Sequence, residues 1–126
     1  MSDILWLNPV RKTLQESAAT TGDGTVITLG AKYASAVIQV TGTMGVITFK
    51  GTIDGTTWVN LPCVNVTTSV ATATAAAVGI YSVSVMGMDK FKAEVTTHTG
   101  GTDRISAVGN FLPVPNPTLT ANKAWA

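Results

Sequence analysis

Charge is scarce in this chain. Asp, Glu, Lys and Arg together make up 12% of its 126 residues, about half the share of an ordinary soluble domain. A surface poor in charge is weakly protected against association, so part of it is expected to be covered in the working state. The scarcity is also uneven, because no charged residue occurs between Asp54 and Asp89. Exposed strands ordinarily carry gatekeeper charges. Their absence predicts that Thr67 to Val78 is covered in the assembled state, with symmetry-related copies as the first candidates and a flexible Ala/Thr loop as the competing explanation.

Other scarcities exclude whole classes of chemistry. There is one cysteine, Cys63, and one histidine, His98, which allows no internal disulfide and no Cys/His metal spacing. Cys63 is expected to pack as a small apolar side chain, and His98, in the stretch THTGG, to be solvated. The acids are dispersed: Asp23-Gly24 and Asp54-Gly55 read as turn formers, and no calcium loop or phosphate-binding glycine spacing is present. No nucleophile stands with a base, so no catalytic residue, metal or cofactor is expected. The net charge of +1 comes from scattered basic residues, against the concentrated patch that nucleic acid needs. No apolar run approaches the ~18 residues of a membrane span. The run Ile4 to Leu7 is too short for a signal-peptide core, so synthesis in a cytoplasm is expected.

What is present is alternation. Apolar and polar residues alternate through Ser35–Thr41, Gly45–Ile53, Gly79–Val85, Lys90–Thr97 and Arg104–Phe111, and β-branched residues crowd Thr25–Leu29, Thr57–Leu61 and Val64–Val70. Short strands with turn signals every 8 to 12 residues predict an all-β domain, a single antiparallel β-sandwich or barrel of 7 to 8 strands. The segment Gly42 to Gly45 reads as a hairpin connection, and Pro62 as a bend or an edge. The inward sets are Ala36, Ile38 and Val40; Ile47 and Phe49; Val59 and Leu61; Tyr81, Val83 and Val85; Phe91, Ala93 and Val95; and Ile105, Ala107 and Phe111.

The pattern divides the chain into an N-terminal arm (1–24, with a short helix possible from Asn8 to Ala19), a sandwich domain (25–111) and a Pro-rich C-terminal arm (112–126). Each arm carries large apolar side chains, Trp6 and Leu7 in one and Trp125 in the other. They fold back on the domain or anchor a partner. The turn FKGTIDGTTWVNL contains the one pattern that invites a ligand: Asp54, Gly55 and Trp58. An indole beside polar groups is a sugar platform if it faces out, with Tyr33 and Tyr81 as further aromatic candidates. If Trp58 is buried, the segment is a structural corner.

The pattern F-x-G-[ST]-x-D-G-x-x-W-x-x-L, here Phe49, Gly51, Thr52, Asp54, Gly55, Trp58 and Leu61, is followed by G-x-Y-x-V-x-V-x-G at Gly79, Tyr81, Val83, Val85 and Gly87, and then by VTTHTGGTDRISA. Across positions 36 to 111 the chain resembles a group of short bacteriophage virion proteins. The turn also occurs in carbohydrate-binding sandwiches of the discoidin sort. The resemblance implies a capsid decoration, head-fibre or tail-associated module with no catalytic residues. The expectation is a non-enzymatic decoration protein on the virion's capsid surface, a homotrimer whose arms reach the major capsid protein. A glycan-binding module of a fibre and a structural tail or connector subunit are the alternatives.

Overall fold

In a computed structural model, which describes residues 9–42, 45–98 and 104–114, the chain forms two antiparallel sheets packed face to face. The strands are β1 (Val10–Ala18), β2 (Gly22–Asp23), β3 (Ile27–Thr28), β4 (Tyr33–Gly42), β5 (Gly45–Thr52), β6 (Val59–Leu61), β7 (Cys63–Asn65), β8 (Ala71–Thr72), β9 (Gly79–Ser84), β10 (Lys90–His98) and β11 (Ile105–Pro113). One sheet has the order β1-β11-β4-β9-β7-β8, the other β2-β10-β5-β6, with β3 also pairing β10. The expected all-β sandwich is therefore present, and the extra strands are mostly two- or three-residue pieces.

Period-two alternation explains the core. Ala36, Ile38, Val40, Ile47, Phe49, Leu61, Tyr81, Val83, Val85, Phe91, Ala93, Val95, Ile105, Ala107 and Phe111 are all buried, because successive strand residues point to opposite faces and each sheet covers the other. A ladder of rings crosses the interior. Phe91 stacks on Phe49 with centroids 6.0 Å apart and meets Phe111 edge-on at 5.6 Å, which in turn meets Tyr33 at 6.2 Å. Cys63 is fully buried, as expected. Val59 departs from its expected place and is 47% exposed, at the start of the edge strand β6.

Three other expectations are corrected. The segment from Val10 to Ala18 is neither arm nor helix: it is the edge strand β1, paired with β11 from Val10↔Phe111 to Ala18↔Ile105 through two register shifts. Those irregularities place the consecutive residues Leu14 and Gln15 both inside. The amide of Gln15 is satisfied there, its Nε2 donating to the carbonyls of Ala93 at 2.7 Å and Gly22 at 3.1 Å. The start of the C-terminal arm, Leu112 and Pro113, likewise belongs to β11, and the Val114 amide donates to the Lys32 carbonyl. Finally, β4 and β5 do not form a hairpin. They lie in different sheets, so the Gly42 to Gly45 connection carries the chain from one layer to the other. Gly42, at φ +107°, has no room for a side chain because a Cβ would fall 1.9 Å from the Arg104 carbonyl oxygen. Pro62 stands at a second such crossing, between β6 and β7.

Candidate functional site

The Asp54 turn spans six residues, from the end of β5 at Thr52 to the start of β6 at Val59, and is longer than the tight hairpin expected of it. Asp54 organises it from within. Its Oδ1 accepts hydrogen bonds from the amides of Thr56 and Thr57, both at 2.8 Å, and from the Thr52 hydroxyl at 3.0 Å. The same buried hydroxyl accepts from the Gly55 amide at 3.0 Å, and Gly55 takes φ +84°, the left-handed region that favours glycine. The Thr57 and Thr56 amides, followed by the Thr52 hydroxyl, hold the Asp54 carboxyl well below the usual carboxylate range. This oxygen is spent on its own loop.

Trp58 is half-buried, and one face of its ring is occupied. The Lys92 ammonium lies 4.4 Å from the ring centroid and is held at its other side by Asp23 Oδ2 at 2.9 Å. Lys92 is on β10 and Trp58 adjoins β6, with β5 between them, so the indole reaches across β5 on the sheet's outward face. A second pair on that face joins Lys50 to Glu94 at 2.6 Å. The other aromatic candidates are tied into the fold. Tyr81 is buried, with its hydroxyl donating to the Ala77 carbonyl at 2.8 Å, and Tyr33 packs edge-on against Phe111. Trp6, Leu7 and Trp125 lie outside the described residues.

Among the described residues, no group of three His, Cys, Asp or Glu side chains is placed to hold a metal, and no helix is long and apolar enough to cross a membrane. His98 is half-buried instead of solvated, its Nε2 donating to the Ala18 carbonyl at 3.3 Å.

The charge-free stretch is ordered and exposed. Asn65 Oδ1 accepts from the amides of Thr67 and Thr68, β8 pairs with β7, and Ala75 exchanges two backbone hydrogen bonds with Ile47 of the other sheet. From Thr67 to Val78 only Thr74 and Ala75 escape the exposed class. Val66, Val70 and Val78 are each just over half exposed. Hydrogen bonds therefore pin the stretch at its first turn, at β8 and at Ala75, and the domain's own fold leaves it open.

No protein-family model matches the sequence, and no curated protein matches it significantly. Two solved structures share the fold. The SPBc2 prophage-derived protein YomS superposes with a TM-score of 0.74 at 17% identity, over 85% of this chain and 95% of that one. The PBSX exported protein XepA gives a TM-score of 0.75 at 16% identity over 82% of this chain. This chain spans 37% of XepA, just over a third of its length.

Proposed function

We propose that the chain is a non-enzymatic bacteriophage capsid decoration protein, an oligomer, on the sequence reading a trimer, that binds the major capsid protein on the outer surface of the virion. The observation that carries this reading is the ordered, charge-free stretch from Thr67 to Val78, which the domain leaves open to solvent. The prophage origin of one structure with this fold adds support. A protein that binds only the assembled shell lowers the free energy of that state by mass action, and repeated weak contacts over a lattice reinforce one another. Trp6, Leu7 and Trp125 are the anchors proposed to reach the shell or a sister copy.

Because β1 is part of the core, the test removes residues 1–8 and stops short of Val10. The truncated chain is expected to keep its β-sheet circular dichroism and to lose co-sedimentation with empty shells. Truncated protein that decorates shells like the full chain sinks the anchor role. A structural tail or connector subunit is the reading favoured if the full chain sediments with tails and not with shells. The glycan-binding alternative is weakened by Lys92, which occupies one face of the Trp58 ring.

A further inference from the structure

The two outward faces of the sandwich differ in kind. On the five-stranded sheet, alternation turns Lys50, Lys90, Lys92 and Glu94 outward, and Lys50 with Glu94 and Lys92 with Asp23 form two ion pairs within the same molecule. On the six-stranded sheet, the outward positions of β4, β7, β8, β9 and β11 hold no Asp, Glu, Lys or Arg, and the charges of that sheet, Arg11, Lys12 and Glu16, are confined to its edge strand β1. The register aligns the residues there into rows. Val108 lies beside Gln39, and Gln39 beside Ile80; in the next row Asn110 lies beside Val37, Val37 beside Ser82, and Ser82 beside Val64.

We propose that copies of this chain associate through this face of the six-stranded sheet. The inference rests on the reading of the chain as an assembling subunit, identifies the surface that does it, and replaces the trimer by a two-fold pair, because a face that packs on its own duplicate joins copies two at a time. A patch that meets its own copy must tolerate itself, and a face of one sign of charge would repel its duplicate. Across β11, β4, β9, β7 and β8 this face carries no charge to repel, and Arg11 of β1, which pairs with Asn110, stands at its rim. Its central polar groups are the amides of Gln39 and Asn110, which offer donors and acceptors together and so match a second copy of themselves. The half-buried Val37 and Val108 and the exposed Ile80 around them supply apolar area.

The area suffices. With 10 residues in β4, the longest strand runs ~33 Å, and six strands at ~4.8 Å span ~24 Å. Allowing for the short β7 and β8, each copy presents ~500 Å² of uncharged face, or ~600 Å² with β1 as its rim, and a pair buries ~1,000–1,200 Å², at the lower edge of a specific protein interface. The charge-free stretch from Thr67 to Val78 borders the same sheet at β7 and β8.

The test is the mass in solution by light scattering over a dilution series, with no shells present. The wild type is expected at twice 13.0 kDa. Val37→Lys and Ser82→Lys, both at outward and half-exposed positions, are expected to weaken association at least ~10-fold, while Thr96→Lys on the opposite face leaves it unchanged. Circular dichroism confirms that each variant folds, and having two variants guards against one that does not. A monomeric wild type overturns the inference, as do variants that keep the wild-type mass. Dissociation on removing residues 1–8 with Val37→Lys unaffected overturns it too, by giving the contact to the arm. A monomer that still decorates shells refutes this surface alone, whereas an oligomer that ignores shells refutes the decoration reading alone.

Discussion

Replacing Lys92 by Met separates the two interactions that hold Trp58 in place. The substitution keeps most of the apolar stem and removes the ammonium. The ion pair with Asp23 joins a side chain 13% exposed to one 49% exposed, so it lies toward the weak end of such pairs, ~0.2–1 kcal/mol. The cation held 4.4 Å from the indole centroid adds ~0.5–1 kcal/mol. Lys92→Met is therefore expected to destabilise the domain by ~0.7–2 kcal/mol, read as a fall of the urea midpoint by ~0.5–1.3 M at an m-value of ~1.5 kcal/mol/M. Asp23→Asn removes only the ion pair, and its effect should fade in 1 M salt, where the screening length is ~3 Å. A double-mutant cycle of Lys92→Met with Trp58→Leu isolates the ring contact at ~0.5–1 kcal/mol. Zero coupling in that cycle, or Lys92→Met within ~0.2 kcal/mol of wild type, would refute the clamp and return Trp58 to the status of an available sugar platform.

Two further outcomes follow from the core and the turn. Phe91→Ala removes the ring that touches both Phe49 and Phe111 and is expected to cost ~3–5 kcal/mol, a large share of the ~5–15 kcal/mol that stabilises a typical domain; denaturant unfolding with a loss below ~1 kcal/mol would contradict the ring ladder. Asp54 has a carboxyl held below its unfolded-state range by the Thr57 and Thr56 amides and the Thr52 hydroxyl. Its contribution is therefore fully present above the unfolded pKa of ~4 and is lost as pH falls below that value toward the lower folded pKa. Unfolding midpoints measured between neutral and acid pH should fall less steeply below pH ~4 in Asp54→Asn than in wild type, and parallel curves would show that the turn does not act through this carboxylate.

The strands that alternate cleanly were legible from the residues alone, because one face of each must be apolar to meet the opposite sheet. Phe91, Ala93 and Val95 illustrate it, every second residue buried and Lys92 and Glu94 between them turned out. β1 was not legible. Its sequence VRKTLQESA contains bulges that bury two neighbours in succession, and its partner β11 lies at the far end of the chain, so neither period nor local context announces a strand. Turn chemistry located the Gly42 to Gly45 connection but not its destination, since a glycine at positive φ serves a hairpin and a change of layer equally well. The orientation of Trp58 escaped for a related reason. Thr56 and Asn60 left its face undecided, and what settles it is Lys92, two strands away. The charge-free stretch was legible as an anomaly, and the structure added that it is ordered and that it borders the neutral face.

The pairing of β1 with β11 also sets an order of events during synthesis. Among the described residues the earliest strand in chain order, β1, has its one ladder partner in the last, β11, so the six-stranded sheet stays incomplete until residues near Pro113 have emerged. β11 joins β4 as well as β1, so its arrival fills the gap between two waiting edges at once. Such distant pairing places folding in the slow range of small domains, ~milliseconds to seconds. During that interval β4, with its apolar inner face, has no neighbour on one side. A strand sequence short of charge is poorly defended at that moment, and a second nascent copy offers the same β11. Exchange of terminal strands between copies is the misassembly this chain order invites.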